Sequence, residues 1–416
     1  DDICKDLVLI GGGHAHALVL RMMAMTPVAG LRITLISPAS HTPYSGMLPG
    51  LVAGHYQFEQ AHIDLSRLCT WAQVRFITCE VIALDTDKRV VFLRDRPPLD
   101  YDVLSIDIGS QPELDSVPGA KEHVTPVKPV AQLWQRWQTL TARYADTKPG
   151  PDYRITVVGG GAGGIELALA IAQFGIGKGL TVELLSAASG ILAGYNAGAR
   201  RATLSALAEL GVELQLDSRV AKVEAGLLHL ANGRQLSFDE LFWCTGAAAA
   251  PWIADSGLPV DERGFLKVSN TLQSQGDEHI FAAGDIATQV QYPRPKAGVY
   301  AVRQAPVLAH NLRNIVLGRP LREHRPQLHF LSLISLGGKR ATADRDLFCA
   351  TGEWVWRWKN RIDRSFMARF EDLPQMPQGQ IPTKLPELEE RSLQPACGGC
   401  ALRCPNSLKG RRRPCV

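Results

Sequence analysis

Two glycine-rich segments carry the residue types that bind the phosphates of a dinucleotide. Residues 11–16 read Gly-Gly-Gly-His-Ala-His, residues 159–164 read Gly-Gly-Gly-Ala-Gly-Gly, and each segment follows an apolar run. Glycine permits a tight turn and a close approach to a pyrophosphate, and the unpaired N–H groups of a following helix point at the anion. Two such turns, about 150 residues apart, predict two dinucleotide sites and electron transfer between two cofactors.

The two turns match the dinucleotide fingerprint unequally. Gly159, Gly161 and Gly164 occupy its three glycine positions, whereas the first turn has His16 where a third glycine or alanine is expected. That position normally allows close packing of the helix on the strand. We therefore expect the first helix to lie slightly further from its sheet.

Apolar runs and helical periodicity place each turn in a βαβ unit. The first unit has strands at 7–10 and 31–36 around a helix at 15–25. The second unit has strands at 155–158 and 181–185.

The second strand of each unit ends in a serine, Ser37 or Ser186, where an acidic residue often binds the ribose hydroxyls. We therefore expect an uncharged ribose contact at Ser37. No arginine immediately follows Ser186, so the choice between NAD and NADP stays open.

Further elements follow from the same patterns. Strands are expected at 74–77, 90–93, 103–106, 212–216, 219–224 and 227–230, and helices at 133–145, 199–210 and 299–316. The pair Asn232-Gly233 predicts a hairpin turn. At 279–287 a strand runs into Gly284-Asp285. This aspartate suits a hydrogen bond to a cofactor hydroxyl, and a helix N-cap is the simpler alternative.

Composition and charge limit the class of protein. The chain has 416 residues, 45% of them apolar, which predicts two or three globular domains. No run reaches ~18 uncharged apolar residues and the first residues lack a signal-peptide pattern, so a cytoplasmic location is expected. The net charge of +4 arises in a tail, 397–416, with five basic residues and no acidic one. The near-neutral remainder argues against nucleic-acid binding.

The nine cysteines fall into two groups. Five are scattered, as is typical of free thiols in a reducing compartment, and the absence of a pair near the first turn argues against a thiol-disulfide reductase. The other four are Cys397, Cys400, Cys404 and Cys415. We interpret this tail as unstructured. A zinc site is the alternative suggested by the Cys-x2-Cys-x3-Cys spacing, and no metal is assigned.

The segment 354–370 predicts a basic helix with an apolar stripe. The stripe recurs at every fourth residue and consists of Trp354, Trp358, Ile362 and Phe366. Basic residues, among them Lys359, lie between its members. Either the stripe packs on the domain of the first turn, or it rests on a membrane surface.

The two turns and the segment ending at Asp285 resemble two-dinucleotide flavoproteins of the pyridine nucleotide-disulfide reductase superfamily, over residues 5–372. Without a cysteine pair near the first turn, the chain looks like the branch of type II NADH dehydrogenases and sulfide:quinone oxidoreductases. The segments 41–50, 293–298 and 354–359 are similar to the oxidoreductase domain fused ahead of selenide, water dikinase.

The tail adds to this second resemblance. Residues 397–400 read Cys-Gly-Gly-Cys, similar to the start of the dikinase, but residues 401–403 read Ala-Leu-Arg where its catalytic lysine is expected. The chain ends before an ATP-binding domain. A selenide, water dikinase domain is therefore a candidate partner, and no dikinase activity is expected from this chain.

The resemblance implies an α/β fold with two Rossmann-like domains, in which an FAD domain is interrupted by an NAD(P) domain and followed by a small α+β region. The boundaries expected are 1–125 and 246–327 for the FAD domain, 126–245 for the NAD(P) domain, 328–390 for a C-terminal interface region and 391–416 for the tail. FAD is the implied cofactor and NAD(P)H the implied substrate.

The resemblance also assigns residues to each cofactor. Gly11, Gly13 and His14 would line the FAD pyrophosphate. Asp285 would hold the ribityl or phosphate region. The other implied FAD contacts are Ser37, Pro43, Gly109, Gln304 and Ala305. The helix after Gln304-Ala305-Pro306 would aim its N-terminus at the flavin C2 carbonyl. The implied contacts of the nicotinamide dinucleotide are Gly159, Gly161, Gly164 and Gly246.

These assignments predict an enzyme in which NAD(P)H gives a hydride to the flavin, and the flavin reduces a small-molecule acceptor. Glu166 would approach the nicotinamide and flavin N5, or serve only as a first-turn acid of its helix; Tyr44 and Lys296 are predicted on the acceptor side. The acceptor is a quinone, as in the dehydrogenase branch, or a selenium or sulfur species linked to selenophosphate synthesis. A non-catalytic flavin-binding scaffold is the alternative from another class. No oligomeric state is predicted.

Overall fold

Two five-stranded parallel sheets, each built around one of the glycine-rich turns, organise the protein. The computed structural model describes residues 3–146, 153–375 and 383–385. The predictions for the tail 391–416 and its cysteines lie outside these residues.

The strands and helices follow the sequence patterns closely. In chain order the strands are β1 Lys5–Ile10, β2 Val28–Ala29, β3 Leu31–Ser37, β4 His41–Pro43, β5 His62–Asp64, β6 Arg75–Thr78, β7 Val81–Asp85, β8 Val90–Leu93, β9 Arg96–Asp100, β10 Val103–Ile106, β11 Thr125–Pro126, β12 Tyr153–Val158, β13 Leu180–Leu185, β14 Glu213–Gln215, β15 Val220–Glu224, β16 Leu227–Leu230, β17 Gln235–Ser237, β18 Glu240–Trp243, β19 Leu266–Val268, β20 Ile280–Ala282, β21 Ala287–Gln289, β22 Ser332–Ser335, β23 Ala341–Arg345, β24 Phe348–Gly352 and β25 Thr383–Lys384. The helices are α1 His14–Met25, α2 Leu48–Val52, α3 Phe58–Ala61, α4 Leu65–Ala72, α5 Ala120–His123, α6 Val130–Asp146, α7 Ala162–Gly175, α8 Ala197–Glu209, α9 Pro251–Asp255, α10 Gly298–Val316 and α11 Glu353–Glu371, and 3₁₀ turns lie at Ser45–Met47 and Gly284–Ile286. The predicted strands and crossover helix of the βαβ units are confirmed to within two residues.

The first sheet has the strand order β20-β10-β1-β3-β6, with all its strands parallel. The last four residues of its central strand β1 are apolar and buried, as is typical of a parallel sheet covered on both faces. The helices α1 and α10 pack against each other. Ile10 pairs with both Ile36 and Ile106, so the carboxyl ends of β1, β3 and β10 lie at one edge.

The second sheet has the order β11-β18-β12-β13-β14, again parallel, with the second glycine turn after its central strand. All five strands come from the sequence between β10 and β20, so this sheet interrupts the first. The α/β fold class and its parallel sheets are confirmed, and the exact domain boundaries stay predictions. In such sheets ligands bind at the carboxyl ends of the strands.

Smaller antiparallel sheets complete the fold. The hairpin predicted at Asn232-Gly233 joins β16 to β17, with Gly233 at φ +85°. The sheet β22-β23-β24 leads into α11 and forms an α+β region after the two parallel sheets. Among the described residues, no helix combines the length and apolar character needed to cross a membrane.

Candidate functional site

The first glycine turn joins β1 to α1 without room for side chains. Gly11 adopts φ +93°, in the left-handed region that favours glycine. A Cβ on Gly13 would overlap the carboxyl group of Asp107, and the Gly13 N–H donates to the Asp107 carbonyl at 3.1 Å. The turn thus brings the start of α1 to the carboxyl edge of the sheet, where helix N–H groups bind phosphate.

His14, the first residue of α1, lies close to Pro43, to Tyr44 and to the start of α10. Its Nε2 lies 3.0 Å from the Pro43 carbonyl oxygen, and its ring centroid lies 5.4 Å from that of Tyr44. A Cβ placed on Gly298, at the start of α10, would lie 3.6 Å from His14 Nδ1. The structure therefore brings together the predicted residues His14, Pro43 and Tyr44 at the N-termini of two helices.

His16 replaces the third fingerprint glycine with a packed, hydrogen-bonded imidazole. The side chain is fully buried; its Nδ1 lies 2.7 Å from the Gly11 carbonyl oxygen and its Nε2 lies 2.8 Å from Ser105 Oγ. Burial lowers the pKa of His16 to about 4, so the ring is neutral near pH 7. The imidazole fills the space between α1 and β10 rather than leaving a gap there.

Asp107 is a buried acid that sequence reasoning missed. It follows β10 directly and is only 2% exposed. Its Oδ2 accepts the N–H of His16 at 3.0 Å. Burial raises the pKa of Asp107 to about 7, and Asp285 nearby acts in the same direction. The sequence did contain a signal for a buried acid, because Asp107 stands between two isoleucines at the end of an apolar strand.

Asp285 lies in the 3₁₀ turn after β20, where a hydrogen-bonded group fixes its carboxylate. Its Oδ2 accepts from Lys128 Nζ at 2.7 Å and from Ser110 Oγ at 3.1 Å. Ser110 follows the predicted contact Gly109, which has φ +70° and no protein atom within 4 Å of a Cβ position. Glycine at 109 therefore leaves free space beside this carboxylate. Lys128 was not predicted, because it is 157 residues away in sequence.

The prediction of a helix N-terminus after Gln304 is wrong. The helix α10 begins at Gly298, and Pro306 lies inside it. Gln304 Oε1 accepts the N–H of Gly284 at 2.8 Å, and Ala305 is fully buried. Gln304 thus fixes the turn that carries Asp285, while the free N–H groups of α10 lie more than one turn earlier, beside His14.

Ser37 is the last residue of β3 and Ser186 directly follows β13, and both are buried. The Ser37 carbonyl accepts the N–H of Cys79 at 3.0 Å. A Cβ on Gly160 would lie 2.7 Å from Ser186 Cβ, so Ser186 packs directly under the second glycine turn. Both side chains are uncharged, so neither supplies the acidic group that often binds a ribose at this position.

The second glycine turn leaves open space in front of α7. Gly159 has φ +140° and packs on Cys244, and a Cβ on Gly164 would overlap the Gly159 carbonyl. In contrast, a Cβ on Gly161 would have no protein atom within 4 Å. This space is the cradle that a dinucleotide phosphate would fill. Gly246, at φ +71° beside Glu113, belongs to the loop after β18 in the same sheet.

Glu166 is the fifth residue of α7 and not a first-turn acid, which corrects the alternative given above. Its Oε1 accepts the N–H of Ser335 at 2.7 Å, so it ties α7 to β22. Burial raises the pKa of Glu166 to about 7, and the positive charge of Lys359 opposes that shift.

Lys359 and Asp363, one turn apart on α11, form a buried ion pair that was not predicted. Their side chains are 8% and 6% exposed, and Nζ and Oδ2 lie 2.6 Å apart. Lys359 also donates to the Gly46 carbonyl. Tyr44 hydrogen-bonds to Asp363 and stacks on Phe366 with ring centroids 4.6 Å apart. Burial, followed by the charge of Asp363, raises the pKa of Tyr44 well above its usual value.

Only one of the four residues in the apolar stripe of α11 is buried. Phe366 is buried, but Trp354, Trp358 and Ile362 are 55%, 36% and 40% exposed. The interpretation that the stripe packs on the flavin domain is therefore wrong for three of its four members. Lys359, which the sequence placed between stripe residues, points inward instead.

Lys296 lies in a small cavity whose lining includes Asp285, Tyr300 and Gln304 but not Tyr44. Its Nζ donates to the Ala287 carbonyl at 2.8 Å and to Thr288 Oγ1 at 3.0 Å. Burial lowers the pKa of Lys296 to about 8. Lys296 therefore lines the cavity beside Asp285, whereas the Tyr44 ring contacts His14 and Phe366.

In the described part of the chain, no group of three or more His, Cys, Asp or Glu side chains could hold a metal ion. The arrangement is instead that of two dinucleotide cradles. Two parallel sheets, a glycine turn at the carboxyl edge of each, and an acid after the last strand of the first sheet define a flavin- and nicotinamide-dependent oxidoreductase.

Residues 5–305 match the pyridine nucleotide-disulphide oxidoreductase family, and the chain belongs to it. The NADH dehydrogenase-like protein YutJ of Bacillus subtilis is 25% identical over 82% of this chain and 94% of its own length. The demethylphylloquinone reductase NdbB of Synechocystis is 26% identical over 77% of this chain and 82% of its own length. The structure of NDH2 from Plasmodium falciparum superposes with a TM-score of 0.75 at 15% identity, covering 90% of this chain and 99% of that one.

The chain is therefore an FAD-dependent NAD(P)H oxidoreductase. The prediction of an enzyme is confirmed against the scaffold alternative, as is the prediction of FAD with NAD(P)H. The relatives and the family match give no support to a fused selenide, water dikinase.

Proposed function

We propose that this enzyme passes electrons from NAD(P)H to a quinone, which binds beside Tyr44 and the inner face of α11. The observation that carries the proposal is that α11 has a buried face with an ion pair and an exposed face with large apolar side chains. Lys359 and Asp363 lie on the buried face next to Tyr44, and Trp354 and Trp358 lie on the exposed face. One helix could therefore both contact a membrane that dissolves quinone and line the place where quinone is reduced.

The cofactor contacts proposed are those that the family resemblance implies. For FAD they are Gly11, Gly13, His14, Ser37, Pro43, Gly109, Asp285, Gln304 and Ala305, and for NAD(P)H they are Gly159, Gly161, Gly164 and Gly246. When bound, FAD supplies the two-electron chemistry that connects the hydride donor to the acceptor. Open space at Gly109 and Gly161 supports both assignments.

The proposed reduction of a quinone also needs a source of protons. Reduction of a quinone to a quinol by NAD(P)H consumes one hydride and one proton from solution. Glu166 can hold such a proton near neutral pH, because burial raises its pKa to about 7. Tyr44, hydrogen-bonded to Asp363, supplies a flat aromatic surface and a hydroxyl at the proposed acceptor side. Lys296, in the Asp285 cavity, is proposed to act on the acceptor side only if the acceptor reaches that cavity.

The Synechocystis relative is named as a demethylphylloquinone reductase, which favours a quinone over other acceptors. The selenium or sulfur species expected from the dikinase resemblance remains a prediction from the sequence. We propose to separate the two with FAD-loaded protein under anaerobic conditions. NADH and NADPH are added in separate stopped-flow runs, and bleaching of the flavin band near ~450 nm is followed.

A short-chain naphthoquinone, selenodiglutathione or polysulfide is then mixed with the reduced protein. Rapid return of the band with the naphthoquinone alone supports the proposal. Return with selenodiglutathione or polysulfide alone would replace the quinone by that acceptor. A band that NADH and NADPH leave unchanged would contradict the NAD(P)H-linked activity.

Membrane contact is tested separately by sedimentation with anionic phospholipid vesicles. The exposed stripe and arginines such as Arg357 and Arg361 support binding to such a surface. We expect Trp354→Ala/Trp358→Ala to reduce the bound fraction at least threefold. Ile176→Ala is the matched control, because Ile176 is 60% exposed at the end of α7, outside the stripe. Equal binding by both variants would contradict the role of the stripe.

A further inference from the structure

Asp107 lies at the point where the first glycine turn, β10 and the turn after β20 meet. A Cβ on Gly284 would lie 2.5 Å from Asp107 Oδ1, and a Cβ on Gly13 would overlap the same carboxyl group. The Asp107 carboxyl group therefore leaves no room for a side chain at position 13 or position 284. The carboxyl group is wedged between the two turns that carry the proposed FAD contacts, and it is shielded from solvent.

The carboxyl group uses donors that would otherwise serve a phosphate. The N–H of His16 donates to Oδ2 at 3.0 Å, and the N–H of Ala15 also hydrogen-bonds to Asp107. Both groups belong to the first turn of α1, whose N–H groups and dipole favour an anion. An ionised Asp107 would thus place a negative charge where the FAD pyrophosphate also has to bind.

Apart from these two N–H groups and the α1 dipole, which Asp107 would share with the pyrophosphate, the surrounding side chains do not offset that charge. From α1, His14 and His16 face the region, and burial lowers the pKa of both, which favours their neutral forms. From the turn after β20, Asp285 adds a second negative charge. From the segment before α6, Lys128 pairs with Asp285 rather than with Asp107. The α10 residue nearest the turn contributes an uncharged amide.

We propose that FAD binds to the form of the enzyme in which Asp107 is the protonated acid, so that binding takes up one proton from solution. The inference rests on the proposed FAD site. The proton goes to the Asp107 carboxylate, and no other bond forms or breaks. A neutral carboxyl group keeps one oxygen to accept the α1 N–H groups and gains a hydroxyl that donates. The raised pKa of Asp107, about 7 before a phosphate approaches, agrees with this geometry.

The test uses the enzyme stripped of FAD and reconstituted between pH 6 and pH 8.5. We expect the FAD dissociation constant to rise about tenfold per pH unit above pH 7. Titration calorimetry at pH 8, in two buffers of different ionisation enthalpy, should show uptake of about one proton per FAD. The pyrophosphate does not titrate in this range.

Asp107→Asn mimics the protonated acid, so it should bind FAD with an affinity that is independent of pH. Glu183→Gln is the matched control, because Glu183 is a buried acid of the second sheet with a raised pKa. That variant should keep the pH profile of the parent enzyme. If Asp107→Asn does not fold, the calorimetry of the parent enzyme still decides.

A flat pH profile without proton uptake, in an enzyme that binds FAD, would overturn the role of Asp107 and leave the FAD site intact. An unchanged slope in Asp107→Asn would do the same. Failure to bind FAD even at pH 6 would instead contradict the FAD site itself.

Discussion

Asp363→Asn tests whether the ion pair inside α11 is buried as the structure indicates. The substitution keeps the size of the side chain and removes its charge. Lys359 Nζ then remains near the Gly46 carbonyl and a neutral amide, and it loses the carboxylate with which it forms the buried ion pair. Removing one partner of a buried pair is strongly destabilising, because the remaining charge is desolvated and uncompensated.

The magnitude follows from the geometry. Unit charges 2.6 Å apart attract by about 6 kcal/mol at an effective dielectric constant of about 20. The amide that replaces the carboxylate retains a hydrogen bond, so we expect the free energy of unfolding to fall by about 3–5 kcal/mol.

The assay is urea unfolding at pH 7.5, followed by tryptophan fluorescence. Glu353→Gln is the matched control: Glu353 pairs with Arg357 on the same helix at the same spacing, but these side chains are 60% and 71% exposed. Glu353→Gln should lower the free energy of unfolding by about 0–1 kcal/mol. Equal, small losses in Asp363→Asn and Glu353→Gln would refute the reasoning and mean that water screens the inner pair.

A second variant separates stability from function. Replacing both partners, Lys359→Met with Asp363→Leu, should recover the free energy of unfolding to within about 1 kcal/mol of the parent enzyme. Reduction of the naphthoquinone should nevertheless stay at least tenfold slower, because Tyr44 loses its hydrogen-bond partner. Full recovery of that rate would show that the pair serves only the fold.

Three further predictions concern single residues. Glu166→Gln should slow naphthoquinone reduction by ~10²-fold or more in stopped-flow runs. The pKa of Glu166 is about 7 in the folded enzyme and ordinarily 4.5, so its ionisation lowers the free energy of unfolding as pH rises from 4.5 through 7. The variant should lack this loss of up to about 3 kcal/mol. His16→Ala, which installs a residue that the fingerprint expects, should lower the free energy of unfolding by about 3–5 kcal/mol, since it leaves a cavity and unpaired groups at Gly11 and Ser105; a loss under 1 kcal/mol in urea unfolding would contradict this packing. Ser186→Glu should shift the ratio of kcat/KM values toward NADH over NADPH by at least tenfold, and an unchanged ratio would mean that the ribose lies elsewhere.

The sequence was sufficient for features that depend on local patterns. The strands of both βαβ units and the turns at Gly11 and Gly159 follow from apolar runs and glycine spacing, which act over a few residues. Lys359 and Asp363 could not be recognised, because their burial depends on Gly46, 313 residues from Lys359. Lys128 was missed for the same reason. A charged residue on a helix reads as exposed until the fold packs distant parts of the chain over it.

The departure at His16 and the buried acid Asp107 belong to one arrangement at the first dinucleotide site. His16 occupies the third fingerprint position, and its ring reaches Ser105 on β10, while its N–H reaches Asp107, two residues beyond Ser105. A glycine at 16 with Ser105 and Asp107 unchanged would leave a cavity beside a buried hydroxyl and a buried acid. The three residues therefore act as one packed and hydrogen-bonded group, whose members lie about 90 residues apart in sequence. A fingerprint that scores one position at a time counts His16 as a defect, whereas the fold uses it to hold α1 on the sheet.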